Sequence, residues 1–120
     1  MLTILIIDED GAMRELLCEW LVDEGYRVVG RAAGDGLREV GIGLVIVDIP
    51  NLRTHGADTV RKAKAMYPLA QVMGMSTQLG QSLLPHSSAA RSLGVQRLLA
   101  KPCSREELLG AVAAAIGSPH

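Results

Sequence analysis

The chain alternates between short apolar runs and longer segments with helical spacing. The runs are rich in Leu and β-branched residues, the composition of strands that are covered on both faces. They lie at Thr3 to Ile7, Arg27 to Ala32, Leu44 to Val47, Leu69 to Met75 and Val95 to Ala100. Each run predicts a β-strand, and the more polar second run predicts a strand nearer a sheet edge.

Between the runs, apolar residues recur every three or four positions, which predicts amphipathic helices. The clearest stripe begins at Met13 and ends before Gly25, a residue type favoured just past a helix end. Further helices are predicted at Ala57 to Met66, at Ser87 to Leu93 after a loop, and along a final stripe from Glu106 to Ile116. Asp35 to Val40 has room for about one or two helical turns.

Strands that alternate with helices predict βαβ units with parallel strands and right-handed crossovers. Five such units predict an α/β fold, a three-layer sandwich around a doubly wound, five-stranded parallel sheet. The flavodoxin-like strand order 2-1-3-4-5 places the first and third strands side by side at the topological switch point. We expect one domain over residues 1–117, with 118–120 as a tail or the start of a linker.

Composition narrows the possible functions. Apolar residues make up 48% of the chain and charged residues 21%, the balance of a soluble globular domain, and no apolar stretch is long enough to span a bilayer. The net charge of −1 argues against direct nucleic-acid binding. Met1 leads directly into the first strand-like run, so we expect a cytoplasmic protein. Cys18 and Cys103 lack metal-ligand spacing and are expected to be buried small hydrophobes.

Charged residues stand at the ends of three apolar runs. The first run is followed by Asp8, Glu9 and Asp10, the third ends in Asp48, and the fifth is followed by Lys101. The carboxyl ends of parallel strands share one edge of a sheet, where ligands of such sheets bind. Two like charges about 4 Å apart repel by roughly 4 kcal/mol at a dielectric near 20, so this cluster requires positive charge. Lys101 supplies part of that charge, and a hard divalent ion such as Mg²⁺ supplies the rest. Asp10 is expected in the first turn of the next helix, where the helix dipole favours a negative charge.

Two other kinds of site are disfavoured. The segment Gly74 to Gln78 lacks the second glycine of a nucleophile elbow, and the chain is too short for an α/β-hydrolase. The loop after the first strand is acidic, whereas a flavin phosphate requires hydroxyls and free N–H groups. His55, His86 and His120 show no spacing typical of a metal site.

The charged motifs, in their order and spacing, resemble those of response-regulator receiver domains of two-component signalling. The resemblance covers essentially the whole chain. Its motifs are Asp8-Glu9-Asp10 after the first strand, Asp48 with Gly56 eight residues later, Ser76 after the fourth strand, and Lys101-Pro102 after the fifth.

The resemblance implies a phosphoacceptor site. Asp48 would receive a phosphoryl group from a histidine kinase or phosphotransfer protein, Ser76 would hydrogen-bond that group, and Lys101 would pair with it. The family's Mg²⁺ ligands correspond to Asp8, Glu9, Asp48 and the backbone carbonyl of Pro50. Any enzymatic activity would be limited to catalysis of its own phosphorylation and dephosphorylation.

The family also implies partners. The output partner is an effector protein or domain that contacts the fourth helix, fifth strand and fifth helix, here roughly Ser87 to Ile116. No direct contact with nucleic acid or with a membrane is expected.

Several positions depart from the family pattern, and four of them support an alternative function. Glu9 replaces the more common aspartate, Leu52 a common proline, Thr77 a small residue beside the pocket, and Leu98 an aromatic switch residue. These departures favour an alternative, a degenerate receiver that acts as a phosphorylation-independent interaction module. A third possibility is that the chain is a piece of a longer regulator, with Gly117 to Pro119 as the start of a linker.

Overall fold

A computed structural model describes residues 2–32, 41–54, 56–84 and 87–119. The predicted short helix at Asp35 to Val40 lies outside these residues. The described elements are β1 (Thr3–Ile7), α1 (Gly11–Glu24), β2 (Arg27–Arg31), β3 (Ile42–Asp48), α2 (Gly56–Met66), β4 (Gln71–Ser76), α3 (Ser88–Leu93), β5 (Leu98–Ala100) and α4 (Arg105–Ile116).

The five strands form one parallel sheet in the order β2-β1-β3-β4-β5, which confirms the predicted fold class and strand order. β1 and β3 are neighbours, and Ile7 is paired with Val47. Ser76 at the end of β4 is paired with Ala100 at the end of β5. The residues that directly follow these strands are therefore held at one edge of the sheet.

Three strands begin at a residue other than the one predicted. β4 begins at Gln71 rather than Leu69, which is exposed. β3 begins at Ile42 rather than Leu44, because Ile42 is paired with Thr3 of β1. Gly43 lies within this strand, where a Cβ would lie 2.6 Å from a methyl carbon of Leu2. β5 begins at Leu98 rather than Val95, because the Val95 N–H donates to Ala90 in the turn that ends α3.

Helix caps are formed by the short polar residues of the connecting loops. Asp10 is the N-cap of α1, where its carboxylate accepts from the Met13 N–H, so it precedes the first turn in which it was expected. Ser87 and Ser104 cap α3 and α4. None of the helices described is long and apolar enough to cross a membrane.

The sheet separates two apolar clusters. On the α1/α4 face, the core includes Ile6 of β1, Leu17 of α1 and Leu108 of α4. On the α2/α3 face, it includes Val47 of β3 and Val60 of α2. Both cysteines are free thiols on the α1/α4 face, where Cys103 is buried and Cys18 is half-buried, as predicted for apolar packing.

Candidate functional site

The carboxyl ends of three strands bring Asp8, Asp48 and Lys101 together. Lys101 Nζ lies 2.9 Å from Asp8 Oδ2 and 3.2 Å from Asp48 Oδ1. The Lys101 and Asp8 side chains are only 7% and 3% exposed, and that of Asp48 is 17% exposed. The ammonium group therefore bridges two carboxylates that would otherwise repel each other in a poorly hydrated place.

Asp8 is held from several sides. Its N–H donates to the carbonyl of Arg31 in β2 (3.0 Å), and its Oδ1 accepts from the Asp10 N–H (2.9 Å). The Arg14 guanidinium donates to the Asp8 carbonyl. The stem of Arg14 passes over Gly30 of β2, where a Cβ would lie 3.0 Å from Arg14 Cγ. Sequence reasoning missed Arg14, because its helical position alone does not indicate the strand end that it reaches.

Burial and neighbouring charges shift the pKa values of Asp48 and Lys101. Burial raises the pKa of Asp48, the bond and charge of Lys101 offset part of this, and the charges of Asp8 and Asp10 add to it. Burial alone would lower the pKa of Lys101, but its hydrogen bonds to the two aspartates outweigh burial and raise it. Lys101 consequently remains protonated, and the Asp48 carboxylate is more basic than an ordinary aspartate.

Ser76 lies fully buried at the end of β4, on the same sheet edge. Its hydroxyl oxygen accepts from the Gln78 N–H at 3.1 Å, so its own O–H proton remains available to donate. Its backbone carbonyl accepts from the Lys101 N–H at 2.9 Å. Ser76 is thus linked directly to the backbone of the lysine that bridges the aspartates.

The four residues predicted on the metal side share a cavity of about 400 Å³. They are Asp8, Glu9, Asp48 and Pro50. Carboxylate and carbonyl oxygens are the donors that Mg²⁺ prefers, and Mg²⁺ usually takes one or two carboxylates while keeping several waters. Among the described residues, no three acidic, histidine or cysteine side chains form a ready-made cluster for a metal ion. Carboxylate and carbonyl donors of this kind would hold a partly hydrated Mg²⁺.

The other residues singled out in the sequence differ in exposure. Glu9 and Thr77 are exposed, and Leu98 is completely buried in the core. Leu52 donates its N–H to the side-chain carbonyl of Gln78 (2.7 Å), a contact between two loops that no sequence signal indicated. The three histidines lie outside the described residues.

Comparisons with known proteins agree with this geometry. The family model for the response regulator receiver domain matches residues 4–113. The transcriptional regulatory protein PdtaR of Mycobacterium tuberculosis is 30% identical over 94% of this chain and 56% of its own length. The response regulator receiver protein CpdR of Brucella abortus is 28% identical over 91% of this chain and 92% of its own.

A solved structure supports the same assignment. The CheY-like response regulator receiver domain protein of Methanospirillum hungatei has a TM-score of 0.72 and 26% identity, covering 95% of this chain and 92% of its own. The chain spans about half the length of PdtaR, the first relative named above. On the matched family model, the fold and the relatives, the chain belongs to the response regulator receiver domain family.

Proposed function

We propose that this domain accepts a phosphoryl group on Asp48 from a histidine kinase or phosphotransfer protein, in a Mg²⁺-dependent reaction. The observation that carries the proposal is the bridge from Lys101 Nζ to both Asp8 and Asp48 at the carboxyl ends of the strands. Such a site holds a nucleophile and a compensating cation in contact before any donor arrives. In this role the domain works in the cytoplasm and passes its signal to an effector protein or domain.

The chemistry follows from the bridged carboxylate. Lys101 binds Asp48 Oδ1, which leaves Oδ2 as the oxygen proposed to attack phosphorus. The new O–P bond replaces the P–N bond of a phosphohistidine, and the departing imidazole takes up a proton. The raised pKa of Asp48 makes its carboxylate a better nucleophile once it is ionised. Lys101 then offers its charge to the oxygens of the transferred group.

The metal side of the site would be held by Asp8, Glu9, Asp48 and the Pro50 carbonyl. Bound Mg²⁺ supplies positive charge for the phosphoryl oxygens during transfer. Asp8 is fixed by its bonds to Lys101 and to the Asp10 N–H, so it presents a preformed oxygen donor. Glu9 is exposed at the rim of the cavity, where its longer side chain has room to reach inward.

The transferred group changes the charge balance of the site. A phosphoryl group adds about −1.5 to −2 charge at pH 7, and this charge attracts Lys101 and the free O–H of Ser76. Lys101 directly follows β5, and Ser76 ends β4. The face formed by α3, β5 and α4 is therefore the proposed surface that an effector reads.

Intact-protein mass spectrometry tests the acceptor. The protein is incubated with acetyl phosphate and Mg²⁺, beside Asp48→Ala and the matched variant Asp23→Ala, which removes an exposed aspartate of α1. We expect a gain of one phosphoryl group in the wild type and in Asp23→Ala, and none in Asp48→Ala or after addition of EDTA. An equal gain in Asp48→Ala would move the acceptor to another residue.

A second candidate function is the phosphorylation-independent interaction module. Leu98 favours it, because this residue is 0% exposed in the core at the position where the family usually has an aromatic switch residue. No mass gain in a folded wild-type protein, together with partner binding that acetyl phosphate does not change, would support this function over the phosphoacceptor.

A further inference from the structure

The three acidic residues that follow β1 differ in burial. Asp8 is buried, whereas Glu9 and Asp10 are exposed. The Asp10 carboxylate is already engaged as the N-cap of α1. Asp8 is also bonded through Lys101 to the same ammonium group as Asp48. The affinity of this site for a cation should therefore depend strongly on how the Asp8 carboxylate is held.

Three hydrogen bonds form a closed circuit through Asp8, Asp10 and Arg14. Asp8 Oδ1 accepts from the Asp10 N–H at 2.9 Å, and the Asp10 carbonyl accepts from the Arg14 N–H at 2.9 Å. The Arg14 guanidinium donates to the Asp8 carbonyl and closes the circuit. Both the backbone and the side chain of Asp8 are therefore fixed relative to the first turn of α1.

Gly30 of β2 gives the Arg14 stem its place. A Cβ at Gly30 would lie 3.0 Å from Arg14 Cγ, 3.1 Å from Arg14 Cδ and 3.2 Å from Cys18 Sγ. Glycine inside a strand weakens it and often marks a place where another part of the chain approaches closely. Here it leaves the space that the stem occupies, so the guanidinium reaches the residue that follows β1.

The Asp8 carboxylate, held in this way, can still bind a metal ion. Its Oδ1 accepts from the Asp10 N–H and its Oδ2 from Lys101 Nζ. Each carboxylate oxygen has two lone pairs, so these two bonds leave a further lone pair on each. Asp8 also lines the cavity that it shares with Glu9 and Asp48. A rotation of the peptide after Asp8 would change the direction of these lone pairs.

We propose that Arg14 is a positioning residue that sets the Mg²⁺ affinity of this site by fixing Asp8, and that Gly30 is required for this role. The inference rests on the proposed function and deepens its metal side. Loss of a group that holds a metal ligand in place typically lowers metal affinity by about 10–100-fold. Loss of a nearby positive charge would instead strengthen cation binding. The two effects have opposite signs, so the direction of the change identifies the role of Arg14.

A Mg²⁺ titration of the unphosphorylated protein tests this role. The amide shifts of Glu9 and Asp10, followed by NMR, report binding and show that the protein is folded. Arg14→Ala should weaken Mg²⁺ binding by roughly tenfold or more. The matched variant Arg91→Ala removes an exposed arginine of α3 and should leave the affinity unchanged. Tighter Mg²⁺ binding in Arg14→Ala would overturn the positioning role.

Gly30→Ala displaces the Arg14 stem without changing any charge. The added methyl group meets this stem, so we expect Mg²⁺ binding to weaken by roughly threefold or more. Gly110→Ala adds the same group to α4, where it meets nothing within 4 Å, and should leave the affinity unchanged. Added to Arg14→Ala, the Gly30→Ala change should weaken binding no further, because the stem is already gone. Fully additive losses would overturn the link between the two residues.

The rate of phosphorylation distinguishes positioning from a general loss of structure. The gain in mass with acetyl phosphate is followed over a range of Mg²⁺ concentrations. In Arg14→Ala the half-saturating Mg²⁺ concentration should rise by the same factor as the dissociation constant, while the rate at saturating Mg²⁺ stays near that of the wild type. A lower rate at saturation with an unchanged half-saturating concentration would contradict the positioning role.

The two readouts separate this inference from the proposed function. Equal Mg²⁺ affinities in the wild type, Arg14→Ala and Gly30→Ala would overturn the positioning role and leave the phosphoacceptor standing. Mg²⁺ binding that weakens in both variants, without any mass gain in the wild type, would support the positioning role and overturn the phosphoacceptor. Absence of Mg²⁺-dependent shifts in the wild type would overturn the positioning role together with the Mg²⁺ dependence of the proposed function.

Discussion

The two faces of the sheet are covered differently. On the α1/α4 face, helices of 14 and 12 residues pack over the strands. On the α2/α3 face, the described helices have 11 and 6 residues, and the cavity of about 400 Å³ lies between α2 and the strand side chains of Leu5 and Val47. Apolar side chains buried under these helices stabilise the fold on both faces, and the second face has space beside the acidic site.

This difference gives the two faces separate roles. Substitutions under α1 and α4 should act mainly on the free energy of unfolding. Substitutions in the acidic site should act mainly on the chemistry. The following predictions test this division, from the largest expected effect to the smallest.

Lys101→Met should have the largest effect, because it acts on both charge and chemistry. It leaves Asp8 and Asp48 side by side without their bridging cation, and removal of one member of a buried ion pair typically costs about 3–5 kcal/mol. We expect phosphorylation to disappear and the free energy of unfolding, measured in urea at pH 7 with EDTA, to fall by that order. Lys64→Met, at an exposed position on α2, is the control. A stability loss as small as that of the control would mean that the bridge contributes little.

Leu108→Ala and Leu93→Ala compare the faces directly. Leu108 of α4 is 0% exposed, and its truncation should cost about 2–5 kcal/mol. Leu93 of α3 is half-buried, so we expect a loss of only about 1 kcal/mol. Urea denaturation measures both variants, and equal losses would contradict the division between the faces.

Two glycine substitutions should change the stability of the protein in opposite directions. A Cβ at Gly74 would lie 2.7 Å from Ile49 Cδ1 and 2.8 Å from Leu98 Cδ2, so Gly74→Ala should destabilise by about 1–3 kcal/mol. A Cβ at Gly110 of α4 meets nothing within 4 Å. Gly110→Ala should stabilise by about 0.5–1 kcal/mol, since alanine favours the helix. Thermal unfolding distinguishes the two, and a lower melting temperature for Gly110→Ala would contradict this assignment.

Asp48→Asn should have the smallest effect on stability, and that effect should depend on pH. A carboxyl whose pKa is raised on folding binds its proton more tightly in the folded state, so its ionisation opposes folding above that pKa. Asparagine has no such ionisation, so we expect the free energy of unfolding to rise by less than about 1 kcal/mol at pH 7, the scale of partly exposed charge pairs. The gain should shrink as the pH falls through the raised pKa toward the ordinary aspartate range. Urea denaturation at several pH values measures the difference, and a gain that grows on acidification would contradict it.

The sequence predicted the fold because its strong signals are local. Buried runs such as Thr3 to Ile7 and Leu44 to Val47 specified strands, and their alternation with helices specified a parallel sheet. The carboxyl ends of parallel strands lie at one edge of the sheet, and this rule was enough to predict that Asp8, Asp48 and Lys101 lie close together. The proposed roles of Ser76, Glu9 and Pro50 in phosphoryl and metal binding stay predictions.

The missed features depend on contacts between distant segments. Arg14 reaches the Asp8 carbonyl only because Gly30, on another strand, leaves room for its stem. Gln78 and Ser82 are polar loop residues whose partners, Leu52 and Ala100, are set by the assembled sheet. Loop residues carry no periodicity, so sequence patterns do not reveal which strand edge they meet.

The loop after β4 covers the outer edge of β5, where the Leu83 N–H donates to the Leu98 carbonyl and the Ala100 N–H donates to the Ser82 hydroxyl. This cover affects how the protein behaves at high concentration. An open edge strand is a template on which a second polypeptide can extend the sheet, which is a route to intermolecular aggregation. Here Ser82 and Leu83 occupy one edge, and Arg27 and Arg31 place charges at both ends of the opposite edge strand, β2. Both borders of the sheet therefore resist continuation into a neighbouring molecule, so loss of the Ser82 contact would make the domain more prone to self-association.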